Sequence, residues 1–140
     1  VSRAAIIVVV AMGLASQYAP GVMEQVVENR QEWGQLPAIL PRVDGYIAVV
    51  DCDALGEVWL LRPAGGLVWE RFLVVDCAGP QLRPDGLTGG QWMERNGIIA
   101  EVGYPTAERW GTVGRGVMVE RGKMRNGQMI DDQMVTPYAR

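Results

Sequence analysis

Val68-Trp69-Glu70-Arg71-Phe72-Leu73-Val74-Val75-Asp76-Cys77-Ala78-Gly79-Pro80 is the stretch on which the fold turns. Rich in aliphatic and aromatic side chains and free of Gly and Pro until Gly79-Pro80, it reads as one strand stopped by a turn. Before it, across a Gly65-Gly66 loop, Glu57-Val58-Trp59-Leu60-Leu61-Arg62-Pro63 reads as a second strand. Gly45-Tyr46-Ile47-Ala48-Val49-Val50-Asp51-Cys52 reads as a third, ended by the turn residues Asp53 to Gly56. Three β segments with two short connections predict a meander. After it, Ala78 to Gly90 carries Gly79-Pro80, Pro84-Asp85-Gly86 and Gly89-Gly90 and is a loop. Gln91 to Gly97 reads as one helical turn, Ile98 to Val102 as a strand, Pro105 to Gly111 as a short helix and Gly116 to Glu120 as a final strand.

Further out, Leu36 to Pro41 is an extended, Pro-punctuated lead into the strands. Val22 to Trp33, between Pro20-Gly21 and Gly34, keeps apolar residues at helical spacing and predicts one amphipathic helix. Glu24, Glu28 and Glu32 then stack along one of its faces. That pattern is open to a metal or acid–base role but is read here as a solvated face.

The 140 residues suffice for one domain with a real core, and 49% hydrophobic content argues against disorder. There is no histidine, which removes the commonest general base, the commonest zinc ligand and every Ser-His or Cys-His dyad. Any catalysis must run on carboxylates, and neither a metal site nor a cofactor is expected. Twelve Arg and one Lys are scattered without a run in a chain of net charge −3, so no nucleic-acid footprint is drawn.

Residues 1–14 form an apolar N-terminal segment. Ile6, Ile7, Val8, Val9 and Val10 are five consecutive β-branched residues, which favour a strand, and the run is too short for a membrane span. One preceding Arg and a small-residue end also fit a secretory leader. Three outcomes stay open: a strand donated to or clamped by another subunit, a segment packed at home, or a leader remnant.

The order of these pieces resembles the double-psi β-barrel of the rare-lipoprotein-A and expansin-like group. The resemblance rests on Ala15-Ser16-Gln17-Tyr18-Ala19-Pro20-Gly21 for the family's Ala-Ser-x-Tyr-Gly opening and on Leu40-Pro41 for its Leu-Pro. Val75-Asp76-Cys77-Ala78-Gly79-Pro80 is similar to its Val-x-Asp-x-Gly-Pro motif. Glu101-Val102-Gly103 through Trp110-Gly111 resembles its Asp-Leu-Ser helix, and Val113-Gly114-Arg115-Gly116-Val117 its Gly-x-Gly strand. The resemblance covers residues 15–120 and implies a mainly β, six-stranded double-psi-like barrel. Two or three short helices, the apolar N-terminal strand and a tail over residues 121–140 complete the expected architecture. It also implies a catalytic role for Asp76. Lytic members of the family add a histidine-bearing segment and an acid ahead of that aspartate. The histidine is missing here, and neither Glu24 nor Glu28 aligns with the acid. Asp76 is therefore the single catalytic candidate, with hydrogen bonding to loop amides as its alternative role.

Cys52 and Cys77 each follow a Val-Val-Asp triplet, and equivalent positions at the ends of neighbouring strands would bring their sulfurs within bridging reach. Similar barrels in the resembling group carry a cystine there. A disulfide implies an extracellular or cell-surface location; two buried thiols are the alternative. Trp33, Trp59, Trp69, Trp92 and Trp110 are open to a sugar platform or to core and contact roles. Two functions follow. One is a secreted structural protein that self-assembles into a filament or surface array through Ile6 to Val10, more in keeping with a non-enzyme that lacks histidine. The other is a barrel that binds or cleaves peptidoglycan or another cell-wall glycan with Asp76.

Overall fold

The computed structural model describes residues 6–125, so the tail beyond residue 125 and the first five positions lie outside the described residues. Six strands and three α-helices alternate along it. They are β1 (Ile7–Gln17), α1 (Val22–Glu32), β2 (Gly45–Val49), β3 (Val58–Pro63), β4 (Glu70–Cys77), α2 (Gly89–Arg95), β5 (Ile98–Val102), α3 (Tyr104–Trp110) and β6 (Val117–Met124). A single 3₁₀ turn, Cys52–Ala54, follows β2. The strand order β1-β5-β2-β4-β3-β6 closes on itself, because β6 returns to pair with β1.

Local chemistry sets the helix ends. Gly21 takes the left-handed conformation just before α1, and the Thr88 hydroxyl and Gln91 side chain form a reciprocal capping box at α2. Pro105 lies in the first turn of α3, which Gly111 closes at φ 71°.

The expected meander is corrected. β2 and β3 are not neighbours: β4 lies between them, parallel to β2 and antiparallel to β3. The 3₁₀ turn carries the chain over the end of β4, where the Gly56 amide donates to the Val74 carbonyl, and this leaves the other edge of β2 for β5. The sheet includes Ile7 at one end of β1, and β6 runs on through Met124. Ile7 to Ala15 pair with this chain's own β6, and Leu14 to Gln17 pair with β5 as well.

Alternation along the strands builds two apolar layers. Ile47, Val49, Leu61, Phe72, Val74 and Val119 fill the inside of the ring. Met23, Val27, Leu36, Ala48, Leu73 and Val75 pack between the outer face and α1. Each large side chain buried this way stabilises by about 1.5–3 kcal/mol. One carboxylate is buried with them: Glu70 accepts from the Arg109 guanidinium and from Trp110 Nε1, so its charge is paired.

Candidate functional site

The register places two acids in one row. Ala48 of β2 pairs with Asp76 on β4 and with Glu101 on β5, and Glu101 pairs in turn with Ser16 on β1. Asp76 enters this row through an irregularity: Ile47 pairs with Val74 but Ala48 with Asp76, so Val75 is the extra residue of a β-bulge. Without it, strict alternation would turn Asp76 to the same side as Phe72 and Val74, inside the ring. Ala48 between the acids is the smallest side chain that still fills the outer layer. Two inter-strand spacings separate the acids, roughly 10 Å at the backbone.

Both oxygens of Asp76 accept from side chains. Tyr18 Oη donates to Oδ2 at 2.7 Å, and Arg30 Nη2 donates to Oδ1 at 2.5 Å. Arg30 is steadied by its second amino group, which donates to Gln35 Oε1 at 2.6 Å. Burial, reinforced by the hydrogen bond to Asp76, holds the Tyr18 phenol well above its usual pKa, so it stays a donor.

Glu101 differs. Burial pushes its carboxyl above the ordinary range, the nearby Asp76 adds to this, and the hydrogen bond from Ser16 Oγ at 3.1 Å opposes it. The charge of Arg83 opposes it too, and a carboxyl whose pKa is raised beside one that accepts from a cation and a phenol is an arrangement general acid–base chemistry can use.

Asp76 lines two adjoining recesses. One, of about 500 Å³, is walled by Asn29, Arg30 and Trp33 of α1 and its end, by Pro80 and by the cystine. The other, of about 340 Å³, contains Tyr18, Glu101, Arg83 and Trp92. Cys77 and Gln81 border both, so the pair reads as one groove with Asp76 where the recesses meet and Glu101 in the second. Trp33, 64% exposed, stands at one end and Trp92 at the other. Trp110 is instead packed edge-on against Phe72 at 5.8 Å.

Cys52 and Cys77 form the disulfide, with Cα atoms 5.0 Å apart. The duplicated Val-Val-Asp-Cys segments are not in register: Val49 lies beside Cys77, and Cys52 reaches it from the 3₁₀ turn that follows β2. The loop after β4 is docked tightly. A Cβ on Gly79 would lie 2.5 Å from the Val50 carbonyl oxygen, and one on Gly89 2.2 Å from that of Ala78.

Glu24, Glu28 and Glu32 lie on the solvent side of α1, and no acidic or thiol cluster able to hold a metal occurs among the described residues. Ile6 and Val8 to Val10 are exposed, away from the groove. Sequence reasoning found Asp76 but not its partners Tyr18, Arg30 and Glu101. The available signal was a lone acid inside the apolar strand Ile98 to Val102, and Ser16 and Tyr18 two apart at the end of β1. No helix among the described residues is long and apolar enough to cross a membrane. Comparison with protein-family models, with curated proteins and with solved structures finds no match for this chain.

Proposed function

We propose that this chain is a double-psi barrel that binds and hydrolyses a cell-wall glycan outside the cytoplasm. The observation that carries the reading is the pairing of Asp76 and Glu101 across Ala48 in one groove. Two parallel strand pairs, β1 with β5 and β2 with β4, within a closed six-stranded sheet support the double-psi assignment. The disulfide supports an oxidising compartment.

In this mechanism Glu101 gives its proton to the glycosidic oxygen as that bond breaks. A water adds to the anomeric carbon and passes its proton to Asp76. Arg30 and Tyr18 fix the orientation of Asp76, and Trp33 offers a face on which a sugar ring can stack.

The test is soluble glycan released from purified cell wall by wild type, Asp76→Asn and Glu101→Gln. Each variant is expected to lose about 10²–10⁴-fold in rate. The wild-type rate should fall as pH rises through the raised pKa of Glu101, because the proton to be donated is then gone. Equal release by all three proteins, or none by any, overturns the reading.

A second reading, self-association, is favoured by one observation. Val8, Val9, Val10, Met12 and Leu14 are exposed along β1, and residues 7–13 pair only with β6 among the described strands. Such an edge can add another strand without β1 leaving its own sheet. Sedimentation of wild type against Val8→Lys/Val10→Lys decides it: a concentration-dependent shift in wild type alone supports association, and matching monomers exclude it.

A further inference from the structure

The groove holds a second guanidinium, whose charge bears on Glu101 but which makes no hydrogen bond to either acid among the described residues. Arg83 lies in the recess that contains Asp76 and Glu101, on the loop between β4 and α2. Its guanidinium stacks over Trp92, 4.5 Å from the ring centroid, and its Nε donates to Asp85 Oδ2 at 3.3 Å. Asp85 is fixed in turn, since its Oδ1 accepts from the Leu87 amide at 3.1 Å. The loop around them is a closed turn. The Arg83 amide donates to the Leu87 carbonyl at 2.8 Å, the Gly86 amide to the Arg83 carbonyl at 3.1 Å, and Leu82 bridges Thr88. Gly86 takes φ +85°, which the tight turn requires.

The arrangement is asymmetric. Arg83 borders the recess and Asp85 does not, and among the described residues Nη1 and Nη2 of Arg83 donate no hydrogen bond, while the guanidinium charge opposes the upward shift of Glu101. Across the groove the other guanidinium, Arg30, is committed to Asp76 and Gln35. A stacked guanidinium with two unengaged amino groups is a planar fork of the geometry that binds a carboxylate through two hydrogen bonds. Clamping by Trp92 and Asp85 removes most of the rotamer entropy that a free Arg would lose on binding.

We propose that Arg83 is a specificity-determining residue that reads a carboxylate on the glycan, making the substrate an acidic polysaccharide rather than a neutral one. The proposal rests on the glycan reading above. It assigns the two ends of the groove different tasks: stacking of an uncharged ring at Trp33, and charge recognition at Arg83 on the Glu101 side. The carboxylate can belong to the sugar ring, as in a hexuronate, or to a substituent, as in the lactyl ether of peptide-free peptidoglycan strands.

The test is binding of the full chain to four oligosaccharide preparations at fixed ionic strength. These are a hexuronate oligomer, peptide-free peptidoglycan strands, and the carboxyl-reduced form of each. Wild type is expected to bind one or both carboxylated forms at least about tenfold more tightly than the reduced forms. Arg83→Gln should erase that ratio while leaving affinity for the reduced forms unchanged. Arg83→Lys should restore part of it, since the charge returns without the fork. Trp33→Ala should weaken both forms by the same factor. Which carboxylated form shows the ratio identifies the source of the charge. A ratio unaltered in an Arg83→Gln protein that melts like wild type overturns the proposal and leaves the glycan reading standing. Failure of wild type to bind or cleave any of the four overturns both.

Discussion

Glu101 is the residue whose chemistry depends most on where the chain puts it. Burial raises its pKa in the folded protein, so the folded chain holds this proton more tightly than the unfolded chain does. Its stabilising contribution is therefore complete below the unfolded value and is lost as pH rises through the folded one. Glu101→Gln removes that loss, and its melting temperature relative to wild type is expected to climb as pH rises above the ordinary glutamate range. Parallel melting curves across that rise would mean that the carboxyl is solvated. Arg30 makes the complementary case. Its pair with Asp76 is mostly shielded, with side chains 17% and 19% exposed. Arg30→Met leaves a half-buried carboxylate with only the Tyr18 hydroxyl, at a cost of about 1–3 kcal/mol in denaturant unfolding. Adding Asp76→Asn to Arg30→Met should recover part of that cost; full additivity would show that the two do not interact.

At the scale of elements, the disulfide and the loop it borders set the groove wall. Cys52→Ser/Cys77→Ser is expected to lose about 3 kcal/mol by loop-closure entropy, and a reductant should lower the wild-type midpoint by a matching amount. Insensitivity to reductant would contradict the bridge. Gly79→Ala should weaken the protein by about 1–3 kcal/mol, because its new methyl meets a backbone oxygen that has no side-chain freedom to yield. Much at this scale was readable in advance. α1 differs from its expected span by one residue, and β3, β4 and β5 lie within their expected runs, because hydrophobic period and Gly or Pro punctuation act locally. Which strands adjoin is a different matter. Nothing between Asp51 and Glu57 states that β4 will take the place beside β2, since that choice is made by a strand twenty residues later. The candidate site was half legible for the same reason: Asp76 sits in a motif, whereas Arg30 and Glu101 reach it only through pairings invisible along the chain.

For the molecule as a whole, the apolar N-terminal run sits on the rim of a ring. Deleting residues 1–13 removes most of the β1 pairing with β6 and is expected to abolish cooperative thermal unfolding, as an arm dispensable to its own domain would not. A truncated protein that melts as sharply as the full chain would show that the ring closes without this strand. The same ring sets a timetable for synthesis. Ile7 is synthesised long before its partner Met124, and Leu14 waits for Ile98. At roughly 5–20 residues per second, the Ile-Val run spends on the order of ten seconds outside the ribosome with no strand to pair with. Contacts this distant in sequence also form slowly once the chain is complete. The segment that finishes the fold is thus the nascent chain's most exposed adhesive, and chaperone dependence and inclusion-body yield should be governed by Ile6 to Val10 more than by any residue of the groove.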